Sequence, residues 1–128
     1  MHLSRIRLAG AAIAATAIVA LTGCSTSKST PVDTLIGLDV PAAAELIPDG
    51  HEFVWYDLSS QVAKQGPTLT EPDGQGGVII AVCADGNSLD ASDEVSVGAI
   101  PGSLYTAEIK AAAARNEFRK LLPECATE

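Results

Sequence analysis

The stretch Val78-Ile79-Ile80-Ala81-Val82-Cys83 decides the fold, because six consecutive apolar residues of mostly β-branched type predict a buried central strand. Asp85-Gly86-Asn87 follows it with turn chemistry. Glu94 to Ile100 then alternates and stops at Pro101-Gly102, which predicts the next strand. Upstream, His51-Glu52-Phe53-Val54-Trp55-Tyr56-Asp57-Leu58 is rich in aromatic and β-branched residues and predicts a further strand, with Phe53 and Trp55 on one side and Val54 and Tyr56 on the other. Residues 59–77 hold Pro67, Pro72, Gly66, Gly74, Gly76 and Gly77, and are expected to be a loop.

Helical signals flank the strands. Asp33 to Gly37 is a short apolar run closed by glycine. Asp39 can cap a helix whose first turn holds Pro41, where a missing N–H costs nothing. The helix is expected over 41–47, and Pro48-Asp49-Gly50 ends it. A last helix is expected from Thr106, with Glu108 in its first turn, Arg119 and Lys120 near its end, and Pro123 stopping it. Ala107, Ala111, Ala114, Phe118, Leu121 and Cys125 recur at spacings of three and four and predict its buried face. The fold class that follows is a small α+β domain. Its three-stranded, mainly antiparallel sheet is packed by a short helix and a longer C-terminal helix.

The chain has 128 residues, enough for one domain, and a formal charge of −8 from 8 Lys+Arg against 16 Asp+Glu. An excess of acid argues against a nucleic-acid partner, which needs clustered cations to displace counterions. The first residues carry Arg5 and Arg7, and Leu8 to Thr22 then runs without a charge. A basic start followed by about 15 apolar residues has the form of a secretory signal, and is shorter than the roughly 20 residues of a membrane-spanning helix.

The end of that run, Leu21-Thr22-Gly23-Cys24, resembles the lipobox of bacterial lipoproteins. The resemblance implies a signal peptide over 1–23, cleavage after Gly23, and acylation of Cys24. It also implies anchoring to the lipid bilayer on the extracytoplasmic face of the cell membrane. Two or more acyl chains make such an anchor stable where one does not. Cleavage would remove two cations and no acid, so the mature chain would be more negative than −8. Ser25 to Pro31 is polar and without apolar periodicity, so residues 24–31 read as lipidated Cys and flexible tether, and 32–128 as the domain. The Ala, Gly and Val content suits an actinobacterial source. Of the three cysteines this leaves Cys83 and Cys125, for which an exported protein's default is a disulfide. A loop of that length gives roughly 4 kcal/mol in the chain-entropy estimate.

Residues 33–100 resemble a PASTA-type module, a small envelope domain with one helix against a three-stranded sheet. The matching residues are Leu35-Ile36-Gly37 for the opening motif, Ala43, Ala44 and Leu46 in the helix, and Val78 to Val82, Asp85-Gly86 and Val95-Ser96-Val97 for the final hairpin. The family's Gln-x-Pro-x-x-Gly before the last turn is absent, and residues 103–128 are additional. The family's binding of peptidoglycan fragments or β-lactams is therefore carried onto no residue here.

The sequence holds no recognisable catalytic constellation. His51 is the only histidine beyond the signal, and it reads as a polar residue at a strand's edge. Gly74-Gln75-Gly76-Gly77 lacks the Lys-Ser/Thr of a phosphate loop, and no Gly-x-Ser-x-Gly elbow occurs. The acidic run from Asp85 to Glu94 does not follow the spacing of an EF-hand, with Leu89 where a ligand would stand, so it reads as a solvated turn. The expectation is a non-enzymatic module, without cofactor or metal, that binds or regulates an envelope protein or cell-wall component. Two other readings remain. One is a small-ligand carrier with 59–77 as a lid; the other is a hydrolase using carboxylates among Asp57, Glu71 and Asp73.

Overall fold

A computed structural model describes residues 29–127. It shows a small α+β fold built on a three-stranded sheet: β1 (Glu52–Asp57), β2 (Gly77–Ala84) and β3 (Glu94–Pro101), in the order β1-β3-β2. β2 and β3 form the expected antiparallel pair, whereas β1 lies parallel to β3, from Glu52 beside Glu94 to Asp57 beside Ala99. The sheet is therefore mixed. Its central strand is β3 rather than the Val78–Cys83 run. That run is still buried, because its outer side is covered by the segment before the first helix: Ile79 donates to Leu38 O at 2.9 Å and Gly37 donates to Ile79 O at 2.8 Å.

Both faces of the sheet are covered. One face packs Leu35, Val40 and Ala43 against Ile79, Val82, Val95, Val97 and Ala99. These cover residues come from a 3-10 turn (Val32–Leu35) and from α1 (Val40–Glu45). The Asp39 carboxylate caps α1 by accepting Ala42 N–H at 3.0 Å, and Pro41 sits in its first turn, as the sequence predicts. The other face packs Leu58, Ile80, Ala81, Cys83 and Ile100 against Ala113, Leu122 and Cys125. A register shift between Ile79 and Ala81 explains why Ile80 and Ala81 share this face. One extra residue breaks the alternation, so an unbroken apolar run can serve both cores.

Gly98 lets this second face close. A Cβ there would collide with the Leu58 side chain and approach Leu122 Cδ2 to 3.1 Å. Gly74, at φ +78°, plays a similar part for the first core: a Cβ would lie 2.7 Å from Val40 Cγ1.

Two elements differ from the sequence expectation. The 59–77 loop begins with one helical turn, α2 (Ser59–Val62), whose start is held by Asp57: its Oδ1 accepts the Ser59 N–H at 2.9 Å and also the Ser59 hydroxyl. The last helix, α3 (Ala107–Ala114), starts at the expected Thr106 cap, whose hydroxyl accepts Ile109 N–H at 3.3 Å, but ends well before Pro123. Asn116, at φ 60°, ends it. Its N–H bonds Ala113 O at 2.9 Å and the Glu117 N–H bonds Ala112 O at 3.1 Å, the paired bonds of a Schellman motif. The buried face is accordingly Ile109 with fully buried Ala113; Ala107, Ala111 and Ala114 are exposed. Phe118, Leu121 and Cys125 reach the core from the 3-10 turns that follow, Arg119–Leu121 and Pro123–Cys125.

Candidate functional site

Of the residues singled out in the sequence, Cys24 lies outside the described residues. Cys83 and Cys125 form the expected disulfide, with Cα atoms 6.0 Å apart across a sequence separation of 42. It ties the end of β2 to the C-terminal turn. Both residues are buried, and Arg119 Nε donates to Cys125 Sγ at 3.3 Å.

Asp57 and Asp73, two of the three carboxylates considered above, hold backbone groups in place. Asp57 Oδ1 holds the start of α2, and its Oδ2 accepts Leu69 N–H at 3.2 Å, which pins the following loop. Asp73 closes a local turn on Gln75 N–H at 3.0 Å. Glu71 is exposed. His51 donates from Nδ1 to Ser92 O. The 85–94 segment is knit by its own polar groups. Asp85 Oδ1 accepts Asp93 N–H at 3.0 Å, while Ser92 Oγ accepts Gly86 N–H at 3.0 Å and donates to Ser88 O at 2.7 Å. The segment also receives the incoming chain, for Leu89 N–H bonds Thr30 O at 2.8 Å and Val32 N–H bonds Asn87 O at 3.3 Å. Among the described residues, no group of three or more His, Cys, Asp or Glu is placed to hold a metal ion.

Sequence reasoning missed a polar cluster on the second face of the sheet. Tyr56 donates its hydroxyl to Glu124 Oε2 at 2.7 Å, bridging β1 to the turn that carries Cys125. That bond holds the Glu124 carboxyl below its usual pKa and the Tyr56 phenol above its own. Burial and the charges of Glu124 and Glu94 push Tyr56 the same way. Ser96, fully buried opposite Cys83, directs its hydroxyl near the same carboxylate and favours its ionised form, although no partner meets hydrogen-bonding geometry. The only sequence signal for this cluster was Tyr56 pointing away from Phe53 and Trp55.

The surface has shallow depressions. A larger one, of about 530 Å³, lies between Ile36, Gly37 and Leu38 on one side and Tyr105, Lys110 and Ala114 on the other. A smaller one, of about 230 Å³, lies beside Val32, Asp85 and Arg119. Neither is lined by residues 59–77, whose Leu69 instead packs against the first core. Among the described residues no helix is long and apolar enough to cross a membrane.

The fold and these groups define a small, acidic, disulfide-braced α+β domain. No protein-family model matches the chain, and neither the curated proteins nor the solved structures give a match.

Proposed function

We propose that this chain is a bacterial lipoprotein, anchored to the extracytoplasmic face of the cell membrane through acylated Cys24. Its folded part would be a non-enzymatic module that binds or regulates an envelope protein. The observation that carries this reading is the ordered series of basic start, uncharged apolar run and Leu21-Thr22-Gly23-Cys24. The Cys83–Cys125 disulfide supports it, because such bonds persist in oxidising compartments outside the cytoplasm. The pairing of Thr30 with Leu89 adds that only a few residues would separate the anchor from the fold, so the domain would act close to the bilayer. A cell-wall component is the second ligand class, on the resemblance of residues 33–100 to PASTA-type modules.

The test has two readouts in the native membrane. Cys24→Ala should abolish palmitate incorporation and release the chain from the membrane fraction. Crosslinking of the unaltered lipidated protein should recover a specific envelope partner. Labelling that survives Cys24→Ala refutes the anchor, and crosslinking that recovers neither protein nor wall fragment refutes the binding role.

A further inference from the structure

β1 is an open edge of the sheet. The N–H groups of Glu52 and Leu58 bond Asp93 O and Ala99 O, both at 2.9 Å, so the even-numbered residues of the strand turn their backbone groups toward β3. By strand alternation, Phe53, Trp55 and Asp57 turn theirs the other way. Among the described residues these three have no backbone partner on that side, and β1 pairs with no strand but β3. The other outer strand, β2, is covered by Gly37 to Asp39, which leaves β1 as the uncovered edge. Every residue of β1 retains solvent exposure. An uncovered row of donors and acceptors is a template for one more strand.

The side chains say what that strand should look like. Phe53 and Trp55 stand half-buried on the first face, beside the core of Val95 and Val97. On the second face stand Glu52, its neighbour Glu94, and Tyr56 with Glu124 hydrogen-bonded to it. No Lys or Arg occurs between Ser29 and Ala63, so β1 and the chain on either side of it supply no cation to Glu52. An added strand therefore meets the rings of Phe53 and Trp55 on one side and the carboxylates of Glu52, Glu94 and Glu124 on the other. A second copy of this chain fits poorly, since it would bring its own Glu52 and Glu124 onto the same face.

We propose that β1 is a β-augmentation site for an extended segment of a partner protein in which apolar residues alternate with Lys or Arg. The apolar residues lie beside Phe53 and Trp55, and the cations lie beside Glu52 and Glu124. This deepens the binding role proposed above by naming its surface and the pattern of its partner. It is tested apart from that role, on the full-length chain in mild detergent, where neither acylation nor the native partner is required.

The probe is a synthetic eight-residue peptide alternating Lys and Val, compared with one alternating Glu and Val. Trp55 is the only tryptophan and reports binding by fluorescence. Amide hydrogen exchange reports where the peptide lies. The expected result is binding of the Lys peptide that weakens with salt and slows exchange at the Phe53 and Trp55 amides. Glu52→Lys should weaken binding about fivefold, the scale of an exposed charge pair. Phe53→Pro should weaken it about tenfold by removing one outward donor while leaving the β3 ladder intact. Should Phe53→Pro fail to fold, Glu52→Lys decides alone, since that side chain is exposed. Equal binding of the Glu peptide, protection elsewhere than at β1, or no binding of the Lys peptide overturns the proposal. So does protection of the Phe53 and Trp55 amides that rises with the chain's own concentration and needs no peptide, the mark of self-pairing.

Discussion

Tyr56 and Glu124 show how much a single pair can couple in a fold this small. Their bond joins β1 to the C-terminal turn, next to the disulfide. Because Glu124 is held below its usual pKa, it contributes stability that is present above its unfolded-state pKa and is lost as pH falls through the lowered native value. Tyr56 behaves in the opposite sense. Its raised pKa means its contribution is present below the unfolded-state value and is lost as pH rises through the raised one. Tyr56→Phe should therefore return the Glu124 carboxyl toward the ordinary glutamate range, read by carbon-13 titration of that side chain. An unmoved titration would mean that Ser96 and the local backbone, not Tyr56, hold the carboxylate. Beyond the side of β1 on which Tyr56 stands, the sequence did not mark this pair, since residues 68 positions apart are joined only by the way β1 and the C-terminal turn meet across the sheet.

The elements were legible to different degrees, for physical reasons. The strands stood out because β-branched residues and turn residues alternate clearly around Val78–Cys83 and Glu94–Ile100. Asp39 and Thr106 marked helix starts because a capping side chain is a local signal. The end of α3 was hidden. Its Ala-rich sequence gives every face a similar apolar character, and the stop comes from Asn116 in a left-handed conformation rather than from glycine or the later Pro123. The parallel placement of β1 was hidden as well, because residues 58–76 carry the chain past β3 to begin β2 on its far side, and no pattern within β1 announces that crossing. Gly98 allows Leu58 and Leu122 to meet over β3. Gly98→Ala should destabilise the fold by about 1–3 kcal/mol through overpacking, measured as a lower urea midpoint at unchanged slope. A midpoint equal to that of the unsubstituted chain would show that Leu58 and Leu122 shift freely, contrary to the packing described.

As a whole molecule, the protein combines two thin cores, one on each face of a three-stranded sheet, with a disulfide between β2 and the C-terminal turn. A crosslink that closes a loop this long adds to the stability the two cores supply by restricting the unfolded chain. The double variant Cys83→Ala/Cys125→Ala should lose about 4 kcal/mol of unfolding free energy by the chain-entropy estimate, measured by urea unfolding. A loss below about 1 kcal/mol would indicate that the C-terminal turn is held by Leu122 and its neighbours without the bond. The proposed role, a membrane-anchored module that takes a partner bearing positive charge, draws on the acidic composition, the uncovered edge of β1 and the proposed anchor at Cys24. The location in that role rests on the proposed anchor alone. The most direct test is the intact mass of the chain extracted from the membranes of cells that express it. The expected species is a chain beginning at Cys24 and carrying the mass of a diacylglyceryl group, with or without a further acyl chain. A chain that begins elsewhere, or that begins at Cys24 without lipid, would contradict it.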